Sequence, residues 1–366
     1  MGASCPKLEI VKPRRVTLRR PTVLDLFSGC GGLSFGFASE GFEILAGVDS
    51  WQDALITFAK NHPSAMAVAA DLGDPSVIKE FASLPELDVV VGGPPCQGFS
   101  LSGKRDPDDP RNRLYEGFVD AVRILRPAFF VMENVPNLRS MAGGEIGRSI
   151  IADFDHLGYR VVDSVLLASN FGVPQNRRRL FIVGQRIDAH LNDFVFPSND
   201  ATNVQLSSSD AISDLPENSV ADGTGYLTPP RSDFQAKMRE KSSGIWNHEI
   251  TIHTEKTRRI IALVPDGGNY KDLPVELQGT RKVNIAWTRL SSDRPSFTID
   301  TGHRHHFHYE YNRVPTVRES ARLQSFPDHF HFEGTKTSQL KQVGNAVPPL
   351  LAASIARQIR LCLSRM

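Results

Sequence analysis

The sequence predicts an α/β protein: a doubly wound, mostly parallel sheet carrying a second, smaller and irregular domain. Three observations support that fold class. Strand-length apolar runs alternate with helix-length runs from about residue 22 to about residue 183, the rhythm of a parallel sheet wrapped by crossover helices. Several strand-like runs end in an acid or a glycine-rich loop, where open α/β sheets hold their ligands. After about residue 190 the rhythm stops, and Ser207-Ser208-Ser209, Pro229-Pro230 and Gly267-Gly268 stand among scattered charges.

In chain order, residues 1–20 hold Lys7, Lys12, Arg14, Arg15, Arg19 and Arg20 among few apolar residues. They read as a solvated tail by default, with a phosphate-touching basic arm as the alternative. Residues 22–27 predict a strand, 28–32 a tight loop, and Leu33 onward a helix. Residues 42–48 predict a second strand closed by Asp49, and 53–61 a helix. A third strand over 66–70 is closed by Asp71; the helix over 75–83 has proline at its first turn. The apolar run 87–91 predicts a buried strand that leads into Gly92-Gly93-Pro94-Pro95-Cys96-Gln97-Gly98-Phe99-Ser100. Leu114, Phe118, Val122 and Leu125 share one face of a helix over 112–125. A fifth strand, 128–132, ends in Glu133-Asn134. A helix over 146–157, strands over 159–166 and 180–183, and a terminal helix over 350–362 that packs back on the sheet complete the pattern.

The bulk properties narrow the function classes. A chain of 366 residues can bury a large core and a second lobe, and 40% apolar with 23% charged residues describes an ordinary globular protein. No apolar run reaches transmembrane length, and the N-terminus lacks the apolar centre of a signal peptide. Cys5, Cys30, Cys96 and Cys362 are far apart with no CxxC spacing. That pattern predicts neither a zinc site nor a disulfide framework and fits a reducing cytoplasm. Net charge is +1, so a nucleic-acid partner has to be held by local basic patches.

Two stretches carry the chemistry. In Phe27-Ser28-Gly29-Cys30-Gly31-Gly32, backbone can approach a ligand at a helix N-terminus. Asp49, at the next strand's end, is placed to accept ribose hydroxyls, and Asp71 an adenine amino group. Ser34 stands where a dinucleotide fingerprint needs its third glycine, which favours a smaller ligand such as S-adenosylmethionine over NAD. Loop-forming glycines and cap-forming aspartates are the bland alternative. Cys96 follows a buried strand through rigid Pro94-Pro95 and precedes flexible Gly98. A nucleophile and an inert packing thiol both fit that placement.

Six blocks then occur in a fixed order: Asp25-Leu-Phe-Ser-Gly-Cys-Gly-Gly32, Gly93-Pro-Pro-Cys-Gln-Gly-Phe-Ser100, Glu133-Asn134-Val135, Gln175-Asn-Arg177-Arg-Arg179, Arg318-Glu-Ser-Ala-Arg322 and Gly344-Asn345-Ala-Val-Pro-Pro349. In these blocks the chain resembles the cytosine-C5 DNA methyltransferases over nearly its whole length outside the small domain. The resemblance implies an S-adenosylmethionine-dependent DNA (cytosine-5-)-methyltransferase of the bacterial restriction-modification type. Its fold would be Rossmann-like, with residues 1–207 and 345–366 as catalytic and cofactor-binding domain, 208–316 as target-recognition domain and 317–344 as hinge. Cys96 would be the nucleophile that attacks cytosine C6, and Glu133 would hold N3 and the exocyclic amine. Arg177 and Arg179, alternating along a strand start, would face cytosine O2 and support the thiolate and Glu133. Arg318 to Arg322 would begin a helix bracing the two lobes.

Cofactor contacts implied by the same resemblance are Asp25, Phe27, Gly29, Gly31, Gly32, Asp49, Ser50, Asp71, Leu72, Pro95, Leu114, Asn345 and Ala346. The free carbonyl of Pro95 could also accept from the cytosine amine. Ser50 follows the ribose acid where the family often has an aromatic residue, and Trp51 lies one place later, so either is the adenine-stacking candidate. Leu167 stands where the family often has asparagine. DNA contacts would come from a closing loop, with Ser100, Ser102, Lys104 and Arg111, and from Thr298, Arg281, His303 and Arg304 in the recognition domain. The target base must leave the duplex stack to reach the cysteine. No cysteine or carboxylate completes a tetrahedral set with the His303–His308 cluster, so no metal is expected. The expected partners are double-stranded DNA and, functionally, a cognate restriction endonuclease; the expected state is a monomer near the nucleoid, away from membranes. An RNA cytosine methyltransferase and a non-catalytic DNA-binding regulator are the alternatives.

Overall fold

The computed structural model describes residues 19–83, 87–95, 112–198, 205–278, 287–302 and 306–364. Cys96, Ser100, Ser102, Lys104, Arg111, Arg281, His303 and Arg304 lie outside the described residues.

The chain runs through β1 (Thr22–Leu26), α1 (Gly32–Ser39), β2 (Glu43–Asp49), α2 (Gln52–Asn61), β3 (Met66–Ala69), α3 (Pro75–Glu80), β4 (Val89–Gly92), α4 (Asn112–Leu125), β5 (Phe129–Asn134), α5 (Glu145–His156), β6 (Tyr159–Leu167) and β7 (Arg178–Arg186). These seven strands form one sheet in the order β3-β2-β1-β4-β5-β7-β6. β1 to β5 pair in parallel, and β7 is antiparallel to both β5 and β6. Every residue of β1 and β4 is buried, because helices cover both faces and no alternation is needed. One core packs α1 and α12 (Pro349–Leu363) on one face, with Phe37, Phe42, Leu351, Ile355 and Ile359 at its centre. The other holds Phe118 and Phe154 from α4 and α5 against Phe130 on the opposite face. Strand order reverses between β1 and β4, so a crevice opens past their carboxyl ends.

Beyond β7 regular structure thins to α6 (Ser208–Ile212), α7 (Asp233–Arg239), α8 (Glu255–Ala262), α9 (Val275–Gln278), the two-residue pair β8 (Thr288–Arg289) with β9 (His306–Phe307), α10 (Val317–Leu323) and α11 (Lys336–Asn345). Side chains replace secondary structure in much of this region. The buried Arg289 guanidinium donates to Ile261 O at 2.6 Å, Val264 O at 2.7 Å and His308 O at 2.9 Å.

The expected 208–316 domain divides into two cores. Ala211, Ile212, Phe234, Met238 and Ile245 pack with Val317, Ala321, Phe326, Phe330 and Val343, and with Cys30 of the sheet domain. Only Ile260, Ile261, Val264, Leu273, Trp287, Phe307 and Val314 form a separate, smaller cluster. One expectation needs correcting: α11 and α12 together, Lys336–Leu363, are long and apolar enough for a membrane span by length and composition. The apolar face of α12 is taken up by the core against α1, where Leu351, Ala352, Ile355 and Ile359 are buried.

Candidate active site and cofactor cleft

The loop after β1 is strained in one place and tight in another. Phe27 adopts a left-handed conformation, φ +58°, the kind of cost that concentrates at ligand sites. Gly31 has φ +91°, and a Cβ there would lie 2.6 Å from His62 Nε2. Asp49 at the end of β2 fastens the loop: its two carboxylate oxygens accept from Gly29 N and Trp51 N, each at 2.8 Å. Each oxygen keeps a second lone pair for a hydroxyl donor.

Asp25 is buried at the cleft floor and accepts from Ser34 Oγ at 2.5 Å. Burial, with the Asp49 charge adding to it and the Ser34 bonds opposing it, pushes its carboxyl up to about 7. Cys30 is buried and its thiol is pushed up to about 12, chiefly by desolvation, which makes it an inert packing group.

These residues line a cleft of about 810 Å³ at the switch point between β1 and β4. Of the expected cofactor contacts, Asp25, Phe27, Gly29, Gly32, Asp49, Ser50, Asp71, Leu72, Pro95, Leu114, Asn345 and Ala346 face it. Gly31 lies behind the loop, against His62 and Phe58. Trp51 also lines the cleft, with Lys341 Nζ 4.9 Å from its ring centroid. Met141, Thr301, Lys341 and Gln342 line it without having been anticipated. Lys341 and Gln342 precede Asn345 by four and three positions on α11, the spacing of one helix face. Reading 336–345 as a helix would have found both.

The same cleft reaches Glu133 and Arg179. Glu133, at the end of β5, pairs with Arg179 of β7 through Nε to Oε1 at 2.8 Å. Burial raises the Glu133 carboxyl above its usual range, while the Arg179 and Arg177 charges partly offset that rise. Desolvation likewise lowers Arg179, opposed by Glu133. A Cβ at Gly93 would stand 3.1 Å from Glu133 Oε2, so glycine there leaves the carboxyl room. Asn134 Nδ2 donates to Pro94 O at 2.9 Å, which fixes the end of β4 just before Cys96, while Pro95 stays exposed on the cleft.

Arg177 and Arg179 both act on the Glu133 charge, but only Arg179 forms an ion pair with it. β7 begins at Arg178, so Arg177 precedes the pleat and is buried. Its Nη1 donates to Ile299 O at 3.0 Å and its Nη2 to Gly344 O at 2.8 Å. Arg178 is exposed. The Thr298 hydroxyl donates to Asn176 O at 3.1 Å. His308 accepts from Glu310 N at 3.0 Å and Tyr311 N at 3.1 Å through Nδ1 and stacks on Tyr309 and Tyr311. Burial holds it down to about 4, so it serves as a neutral packing group. Among the described residues no cluster of His, Cys, Asp or Glu could hold a metal ion.

A mostly parallel seven-stranded sheet with flanking helices and a cleft at the switch point defines a methyltransferase of the Rossmann-like α/β class. The chain belongs to the C-5 cytosine-specific DNA methylase family, whose model matches residues 21–361. It is 37% identical to the Type II methyltransferase M.DdeI of Desulfomicrobium norvegicum, covering 92% of this chain and 88% of that protein. It is 38% identical to the Type II methyltransferase M1.HphI of Haemophilus parahaemolyticus, with 92% and 86% covered. A solved chain from an Escherichia coli prophage, described as a DNA modification methyltransferase, superposes with a TM-score of 0.76 at 28% identity, covering 94% of this chain and 100% of that one. A Spodoptera frugiperda DNMT2 mutant shares the fold at a TM-score of 0.63 and 17% identity, over 93% of this chain and 99% of that one.

Proposed function

We propose that this chain is a DNA (cytosine-5-)-methyltransferase that moves a methyl group from S-adenosylmethionine to C5 of a flipped cytosine in a specific short duplex site, through a covalent bond between Cys96 Sγ and cytosine C6. The observation that supports it best is that one cleft joins the strained loop after β1 to the half-buried Glu133–Arg179 pair.

The lining fits an adenosine-bearing cofactor. Asp49 has lone pairs left for ribose hydroxyls, Trp51 and Leu114 offer apolar walls, Asp71 an acceptor for the adenine amine, and Asn345 and Ala346 close the methionine end. When bound, the cofactor supplies an electrophilic methyl on a sulfonium. The Cys96 thiolate adds to C6 and makes C5 enamine-like and nucleophilic. After transfer the C5 proton leaves and the thiolate departs, restoring the ring double bond. Glu133, its carboxyl raised above the usual range by burial, would share a proton with N3 and accept from the exocyclic amine. Arg179 fixes that carboxyl and presents positive charge toward O2.

Ser100, Ser102, Lys104 and Arg111 would close on the duplex, and Thr298, Arg281, His303 and Arg304 would contact it from the recognition side. The Type II relatives favour a cognate restriction endonuclease as functional partner, with the enzyme working as a monomer on bacterial cytoplasmic DNA. Incubation with labelled cofactor on duplex DNA and on tRNA tests the substrate; label only in tRNA sinks the reading. Covalent capture on 5-fluorocytosine DNA, lost in Cys96→Ser, tests the mechanism. Absence of capture by the parent chain would favour a non-catalytic DNA-binding regulator.

A further inference from the structure

Two buried side chains of the segment before β7 hold both hydrogen-bonding groups of one residue. Gln175 Oε1 accepts from Ile299 N at 3.0 Å, and Arg177 Nη1 donates to Ile299 O at 3.0 Å. The same two side chains reach the C-terminal wall of the cleft. Arg177 Nη2 donates to Gly344 O at 2.8 Å. Gln175 Nε2 donates to Gln324 Oε1 at 3.1 Å, and Gln324 Nε2 donates in turn to Val343 O at 2.7 Å and Ala346 O at 3.4 Å. The two backbones also touch directly, since a Cβ on Gly344 would lie 2.5 Å from the Asp300 carbonyl carbon. Residues 298–300 and 343–346 are therefore tied by two routes at a close contact.

A packing role alone does not account for this arrangement. Gln175, Arg177 and Gln324 are all essentially inaccessible to solvent. Burial lowers the Arg177 guanidinium to about 9, with the Arg179 charge adding to the effect and Glu133 and Asp300 opposing it. A charge kept at such a cost is retained for the bonds it makes. Those bonds go to backbone carbonyls on two segments far apart in the chain, Ile299 and Gly344. Asn345 and Ala346 line the cofactor cleft, and Thr298, next to Ile299, is the residue the proposed function sets against DNA. A shift of either segment moves carbonyls held by the same guanidinium.

We infer that Gln175, Arg177 and Gln324 form a joint that couples ligand occupancy at the Asn345–Ala346 wall to the placement of Thr298 on DNA, with Arg177 acting as a positioning residue that does not touch the base. The inference rests on the proposed function for what fills each side. Coupling between two sites is reciprocal, so each ligand must change the affinity of the other by one common factor.

The test uses the full chain, S-adenosylhomocysteine, and a duplex carrying the site located by mapping methylated cytosines. Calorimetry gives the affinity of S-adenosylhomocysteine with and without duplex, and anisotropy gives that of duplex with and without S-adenosylhomocysteine. In the parent both affinities should rise by the same factor, about fivefold or more. In Arg177→Lys, whose single ammonium cannot span both carbonyls, and in Gln324→Met, that factor should fall below about twofold while each ligand still binds alone. Retention of the parent's factor in both variants, or no coupling in an active parent, overturns the joint. An Arg177→Lys variant that lowers kcat yet keeps the factor would return Arg177 to the base. A misfolded Arg177→Lys leaves Gln324→Met to decide. A parent that binds cofactor product but methylates no DNA refutes the proposed function instead, so the two failures are distinguishable.

Discussion

Burial and charge act on Glu133 in opposite directions, and the balance decides which proton it can hold. Desolvation raises its carboxyl, and Arg179 at 2.8 Å keeps it oriented and partly offsets the rise. A protonated carboxyl can donate to ring N3, which a carboxylate cannot. Glu133→Ala should lower kcat by roughly 10²–10⁴-fold, the range for a positioned acid or base, with a smaller change in KM for DNA. A loss below about tenfold in single-turnover assays would remove Glu133 from proton transfer. Asp25 makes a separate pH prediction. Its folded-state pKa, pushed up to about 7 by burial, exceeds the ordinary value of 3.8. The native chain therefore keeps a proton that the unfolded chain releases, and stability falls as pH rises from about 4 to about 7. Asp25→Asn should remove that slope and gain about 1–3 kcal/mol at pH 8 relative to pH 4, compared with the parent. Urea midpoints across that window check it; parallel curves for the two proteins would contradict the assignment.

Residue types were legible because the chemistry dictates them. An acid at the end of β2, a glycine loop after β1 and a carboxyl at the end of β5 all reached the cleft. What alternation could not supply is the set of partners of Arg177, Ile299 O and Gly344 O, which lie more than 120 positions away in the sequence. Trp51 and Lys341 meet across two helices 290 positions apart, a contact that no local spacing encodes.

At the scale of elements, α10 is fastened to its neighbours by a buried network of charges. Arg322 donates to both oxygens of Asp328 at 2.6 Å and to Asp214 Oδ1 at 2.9 Å; Asp214 also pairs with Arg239, and Tyr226 donates to Asp328 at 2.6 Å. Arg318 donates to Trp246 O and Pro327 O at 3.0 Å each, and to Phe330 O at 2.7 Å. All of these groups are buried or nearly so, so removing one cation leaves carboxylates uncompensated. Arg322→Met should cost about 3–5 kcal/mol, read as a lower urea midpoint with unchanged slope. A cost under about 1 kcal/mol would show the network to be dispensable. The bracing helix was readable from Arg318 to Arg322, and its capping box, Thr316 with Glu319, marks its start. Its neighbour α11 was not readable: Lys336, Thr337, Ser338, Gln339 and Gln342 dilute the apolar stripe to Leu340 and Val343, and packing against α10 and α2 supplies what the pattern lacks. Around Arg289 the sequence is opaque for a related reason, since a side chain satisfies carbonyls that a ladder would otherwise bond.

Taken as a whole, the molecule has one extended packed core with a smaller one beside it. The sheet cores and the third core are continuous through α1, α10, α11 and α12: Cys30 belongs to the third core, and Leu350 packs against both it and the α1–α12 face. The fourth core is held by seven buried side chains, with Leu263 and Val275 exposed beside them. Few buried contacts mean low local opening free energy. Amides of 255–278 and 287–289 should therefore exchange hydrogen at least about tenfold faster than those of β1, β4 and α10, equivalent to ~1.4 kcal/mol less opening free energy. Residues 208–245, although inside the expected recognition domain, should exchange with the slow set, because their core is shared with α10 and α11. Mass-resolved exchange on the free chain decides between this division and a single recognition domain over 208–316. If 208–245 opens together with 255–278 and 287–289, the shared core is not the cooperative boundary. If they separate as stated, saturation with target duplex should slow the 255–278 and 287–289 set selectively, since a weakly held unit gains most from a partner that binds only its closed form.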